Sequence, residues 1–138
     1  MRDALRAAGL APWGVREGVY TSWDAPLLPP DFQAHAHLPG GGMLDLMLGD
    51  LSDGLWRYHR DPAVTLPLEE ARLRGPGGLP YLAPQAALLF KSRTRGRDPR
   101  PRDEADFAWT LPLLGERERG WLRRHLGADH PWQARLED

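Results

Sequence analysis

The chain has 138 residues, 41% of them hydrophobic, and its 18 basic and 19 acidic residues leave a formal net charge of -1. That length matches one ordinary domain, able to bury well over half of its unfolded surface around a single core, and the composition excludes a disordered tail and a strongly basic nucleic-acid binder. Cysteine is absent, which excludes disulfides, thiolate metal sites and cysteine nucleophiles, and no apolar run approaches a membrane span or a secretion signal.

In chain order, Met1 to Leu10 sets Leu5 and Leu10 among alanines at helical spacing and ends on Gly9 and Pro12, which predicts one short amphipathic helix. Gly18 to Trp23 is β-rich, and the proline-rich stretch before Asp31 cannot donate ladder bonds and reads as a loop. Phe32 to Leu38 alternates strictly: Phe32, Ala34, Ala36 and Leu38 share one face, Gln33, His35 and His37 the other. Pro39 to Gly42 is a turn. Met43 to Asp50 follows as a strand with Leu44, Leu46 and Leu48 on one face and Met43, Asp45 and Met47 on the other. Gly54 to Arg60 and Ala63 to Leu68 are shorter strand candidates, and Arg74 to Gly78 is another turn.

From there the pattern is helical. Pro84 stands in a first turn, where its missing N–H costs nothing, and the apolar run continues through Leu88, Leu89 and Phe90 to Lys91. The stretch from Asp103 to Leu111 begins with Asp103 as a candidate N-cap and carries Asp106 three residues on, with its acidic groups at the positive end of the helix dipole. Pro112 limits that helix. Glu116 to Gly127 forms a third, with Trp121, Leu122 and Leu126 inward and Gly127 as its stop, and His130 to Asp138 caps the chain. The expectation is an α+β fold, one domain over residues 1–138: a helix plus a mostly antiparallel sheet of four or five strands over 1–78, then a helical part with three helices over 79–138.

Three groups of residues carry candidate chemistry. Asp45 is a carboxylate in mid-strand between methionines, a position that loses solvation unless it meets a cation, a metal or a polar cleft, so it reads as a metal ligand or general base; a solvent-exposed sheet face is the plainer account. Lys91, Arg93, Arg95, Arg97, Arg100 and Arg102 lie between two helices, where they form either a phosphate-holding cluster or a solvated loop. His35 and His37 share a strand face that Asp45 can join, a set able to bind zinc or iron, although a polar exposed face explains it as well.

The segment from Gly78 to Leu136 resembles the C-terminal half of the nucleotidyltransferase-fold family related to aminoglycoside 2''-adenylyltransferases. The motifs that carry the resemblance are "PYLAPQ" (Pro80 to Gln85), the apolar run Leu88 to Lys91, "RPRDEADF" (Arg100 to Phe107), Trp121-Leu122 and "HPW" (His130 to Trp132). Upstream, "GGGMLDLMLGD" is similar to the family strand bearing the third catalytic aspartate, which falls on Asp45. The family's glycine-glycine or glycine-serine turn and its Asp-x-Asp strand are missing, Gln85 stands where glutamate is usual, and Arg102 where lysine is usual.

The resemblance implies a truncated nucleotidyltransferase-like palm that aligns a nucleoside triphosphate with an acceptor hydroxyl through Mg²⁺ or Mn²⁺. In that scheme Asp45 is the metal-binding and catalytic carboxylate, Lys91 has a catalytic or phosphate-binding role, Arg100 and Arg102 bind phosphate, and Asp103 and Asp106 orient the basic groups or build the helix start. Transfer would then depend on carboxylates supplied from elsewhere. The alternative is a noncatalytic interaction module, dimeric through a sheet edge left open. The near-neutral total charge argues against a nucleic-acid partner, no membrane partner is expected, and the cytoplasm is the expected location.

Overall fold

The computed structural model describes residues 2–16, 18–27, 31, 33–92 and 98–137. Phe32 and the arginines 93, 95 and 97 lie outside the described residues. The chain is α+β, as expected from its pattern, and forms two compact units, residues 1–50 and 51–138.

The first unit opens with α1 (Arg2–Ala7). Gly9 stops it at φ 75°, with Gly9 N–H donating to the Arg6 carbonyl (2.9 Å) and Leu10 N–H to the Leu5 carbonyl (3.0 Å). This pair of bonds satisfies the last free carbonyls of the helix and needs a residue that tolerates positive φ. Four strands follow: β1 (Ala11–Arg16), β2 (Val19–Ser22), β3 (Gln33–His37) and β4 (Met43–Met47), in the sheet order β2-β1-β3-β4 with every pairing antiparallel. In the registers Trp13↔His35↔Asp45 and Gly14↔Ala34↔Leu46, neighbouring rows face opposite ways. One face carries Gly14, Ala34, Ala36, Leu44 and Leu46, with Ala34 and Ala36 fully buried, and the other carries Trp13, Gln33, His35, His37, Met43, Asp45 and Met47. The two faces therefore divide as the alternation of the sequence predicts.

The second unit contains β5 (Asp50–Ser52), β6 (Leu55–Tyr58) and β7 (Asp61–Pro67) in a three-stranded sheet. A four-residue α2 (Leu68–Ala71) leads to a two-stranded ribbon, β8 (Arg72–Arg74) with β9 (Pro80–Leu82). Then come α3 (Pro84–Lys91), α4 (Pro101–Thr110) and α5 (Glu116–His125), the three expected C-terminal helices. Where the sequence predicts one sheet of four or five strands, the described residues form three sheets of four, three and two strands. Of the strands that the sequence does not predict, β5, β8 and β9 are only three residues long, too short to show a period, and the six-residue β1 is hidden by Pro12 and Gly14, which read as breakers.

Two helix ends differ from expectation for local reasons. Helix α4 starts at Pro101, whose fixed φ suits the first helical position, so Arg100 is the N-cap and Asp103 sits three residues inside. Helix α5 ends because Leu126 turns extended (φ -86°, ψ 150°), not through Gly127. The core of this unit joins Trp56, Tyr58 and Leu66 of the sheet to Leu88, Leu89, Phe107, Trp121, Leu122 and Trp132 of the helical part. No helix of the described residues is long and apolar enough to cross a membrane.

Candidate functional site

The polar face of the four-stranded sheet gathers side chains from three strands. His35 is nine-tenths buried and uses both ring nitrogens: Nδ1 lies 2.9 Å from the Tyr20 hydroxyl, and Nε2 lies 3.1 Å from Gln33 Nε2 and 3.4 Å from Asp45 Oδ1. The Gln33 amide also donates to Asp45 Oδ1 at 2.9 Å. One assignment satisfies every group: Gln33 gives one N–H to Asp45 and the other to His35 Nε2, and His35 carries its proton on Nδ1 and donates it to Tyr20. Asp45 is exposed beside Met43 (48%) and Met47 (52%), so the plainer account of its mid-strand position is the observed one. Its Oδ1 meets an amide and an imidazole within the sheet, and the side chain is about half exposed.

Tyr20 is the member that sequence reasoning missed. It pairs with Val15 on β1, and β1 stands between it and His35, so the contact depends on the strand order β2-β1-β3. The 15 residues that separate Tyr20 from His35 carry no signal of that order. His37 lies further out on the same face, exposed, with its ring 6.4 Å from that of Tyr20.

The remaining candidates belong to the second unit, where they form its helical framework. Lys91 at the end of α3 donates to Asp106 of α4 at 2.6 Å, a half-exposed pair that ties the two helices together. Asp103 is fully buried and accepts two hydrogen bonds from the Arg100 guanidinium (2.5 and 3.0 Å) and one from the Arg100 backbone N–H (3.4 Å). Those bonds, led by the guanidinium, hold the Asp103 carboxyl below its ordinary range against the opposing effect of burial, and they raise Arg100 in turn. Arg102 is exposed and has no partner among the described residues. Glu104 takes the Trp132 indole N–H at 2.6 Å and pairs with Arg135, whose guanidinium lies 4.5 Å from the Phe107 ring centre.

The last motif folds onto that helix. His130 Nδ1 accepts the Trp132 backbone N–H (3.1 Å), which leaves its Nε2–H to donate to the Ser92 carbonyl (2.9 Å), and Trp132 stacks on Phe107 at 4.2 Å and 5°. In "RPRDEADF" and "HPW", therefore, Arg100, Asp103, Glu104, Asp106, Phe107, His130 and Trp132 all have structural partners within the unit.

A divalent ion needs several hard oxygen ligands, whereas Asp45 offers one carboxylate whose Oδ1 is already bonded to Gln33. No group of three or more His, Asp or Glu side chains able to hold a metal occurs among the described residues. The side chains around Asp45 do not fit Mg²⁺ or Mn²⁺, and His35, His37 and Asp45 do not form the zinc- or iron-binding set that their spacing permits. In comparisons with known proteins, no family model, curated protein or solved structure matches this chain.

Proposed function

We propose that the chain is a noncatalytic interaction module that pairs with a second copy of itself through β4. The observation that carries this reading is the state of that strand. β4 is the last strand of its sheet, no described strand pairs with its outer side, and Met43, Leu44, Asp45 and Met47 are all exposed. An edge of this kind presents a row of backbone donors and acceptors to another chain. Antiparallel pairing centred on Asp45 would set two carboxylates opposite each other, which is unfavourable, so the register expected is centred on Leu44, with Met43 opposite Asp45 of the partner copy.

The competing reading is a nucleotidyltransferase-like site for a nucleoside triphosphate, with Asp45 as its metal ligand. It is favoured by the half-exposed Asp45 carboxylate and disfavoured by the ion pairs that engage Lys91 and Arg100.

Sedimentation equilibrium separates them. We expect the wild type to be dimeric and Leu44→Lys, which sets two ammonium groups opposite each other, to weaken the dimer at least about tenfold, or about 1.4 kcal/mol. A wild-type monomer at the highest soluble concentration sinks the module. Calorimetric titration with ATP, GTP and CTP, each with Mg²⁺ or Mn²⁺, tests the competitor: metal-dependent binding that Asp45→Asn abolishes would establish it instead.

A further inference from the structure

The second unit contains a cleft of about 630 Å³, within the size range of small-molecule sites, set between β7, α2, the β8-β9 ribbon, the start of α3 and one side of α5. Gln85, in the first turn of α3, forms part of its wall. Gln85 is buried, at 6% exposure, and its Oε1 accepts no hydrogen bond from the described residues. An amide oxygen buried without a donor is costly, so the group is poised for a ligand that brings one. The terminal torsion of a glutamine amide is soft, so the amide can turn to meet a donor that enters the cleft.

The charges around the cleft point to the kind of donor. Glu69, Glu70, Glu118, Arg117 and Arg124 line it, and Arg117 is bonded to Glu70 at 2.6 Å. With that pair neutralised, two carboxylates, Glu69 and Glu118, stand against the single cation Arg124. The rest of the wall includes the rings of Tyr81 and Trp121, and Trp121 is held in place by its indole N–H on the Thr65 carbonyl (3.3 Å).

We propose that this cleft binds a guanidinium group on a short apolar stem. A guanidinium has five N–H donors to offer to Gln85 Oε1 and to the Glu69 and Glu118 carboxylates of this wall, a plane that can stack on an aromatic ring, and a stem that can cover the apolar wall. This site is independent of β4 and of any pairing there.

The test is calorimetric titration of the full chain with n-butylguanidinium, with n-butylurea as a neutral analogue of the same shape, and with N-acetyl-Gly-Arg-Gly-amide. We expect n-butylguanidinium to bind and n-butylurea to bind at least about tenfold more weakly, since the carboxylates recognise charge. Gln85→Leu is expected to weaken binding about tenfold while raising the melting temperature of the free protein, because the unpartnered oxygen is gone. Glu118→Gln, a near-isosteric change at a partly exposed position, is expected to weaken binding with the fold unchanged. Tighter binding of the tripeptide would identify the natural source as an arginine side chain, and tighter binding of n-butylguanidinium would identify a free small guanidine; both uphold the proposal. Absence of binding by both guanidinium probes overturns it, as does equal binding of n-butylurea or unchanged affinity in Gln85→Leu. Inorganic sulfate that binds and displaces n-butylguanidinium would also overturn it, because Arg124 would then be the recognition element.

Discussion

Trp132→Ala will destabilise the unit formed by residues 51–138 by about 3–5 kcal/mol, a large share of the roughly 5–15 kcal/mol that keeps a domain folded. Trp132 is fully buried, and three of its features are lost together. The stack on Phe107 disappears, the Glu104 carboxylate loses the indole N–H, and the space left behind borders α4, which the rest of the core cannot refill without moving that helix. Trp109 supplies the control. It lies on the same helix as Phe107 but is 84% exposed, so Trp109→Ala should change stability by no more than about 0.5 kcal/mol. Urea unfolding followed by circular dichroism measures both, and a loss below about 1.5 kcal/mol for Trp132→Ala would mean that the stack is not part of the cooperative core.

Asp103 carries the second large effect, and it is pH-dependent. Its carboxyl is lowered by the Arg100 guanidinium bonds, with burial opposing and the Arg100 charge adding to the lowering. A carboxyl whose folded pKa lies below its unfolded one contributes stability that is fully present above the unfolded value, about 4, and is lost as pH falls through the folded value. Acidification from about pH 4 downward should therefore cost stability in the wild type, and Asp103→Asn should show a shallower slope there. Glu104 retains part of that slope in the variant: burial pushes it up, but the hydrogen bonds from Trp132 and Arg135 outweigh burial and hold it low. At neutral pH, Asp103→Ala should cost about 2 kcal/mol, since bonds to a buried charged acceptor are lost. The larger penalty of a broken buried pair does not apply, because the Arg100 side chain is 43% exposed and regains water. Melting temperatures of the three proteins across the acid range decide the matter: parallel curves for wild type and Asp103→Asn would remove Asp103 from the acid response.

These two residues also mark how far the sequence could be read. Helices α3, α4 and α5 follow from apolar spacing and proline placement, and the two faces of β3 and β4 follow from strict alternation, because both periods are local. The start of α4 was misplaced because Asp103 has the chemistry of a cap, while Pro101, two residues earlier, sets the backbone. β5 was missed because it spans three residues, although Asp53 and Gly54 after it both adopt positive φ (54° and 74°), the signature of a tight hairpin that an Asp-Gly pair favours. Strand order is not a local property, so the Tyr20 to His35 bond across β1 could not be read, nor could the boundary between units at residue 50, where composition does not change. The orphaned Gln85 oxygen is equally invisible in sequence, where Gln85 shows only as an amide in place of a carboxylate.

The packing of Trp132 on α4 has a consequence for synthesis. The first unit has its whole sheet once residue 47 is made, whereas the second unit cannot complete its core until residue 136 is made. At ordinary translation rates that interval is roughly 4–18 s. For that time the growing chain presents a finished β4 edge beside a second unit whose helices lack their last aromatic partner, so the order of manufacture offers the edge strand to neighbouring chains on the same message before the rest of the molecule is closed.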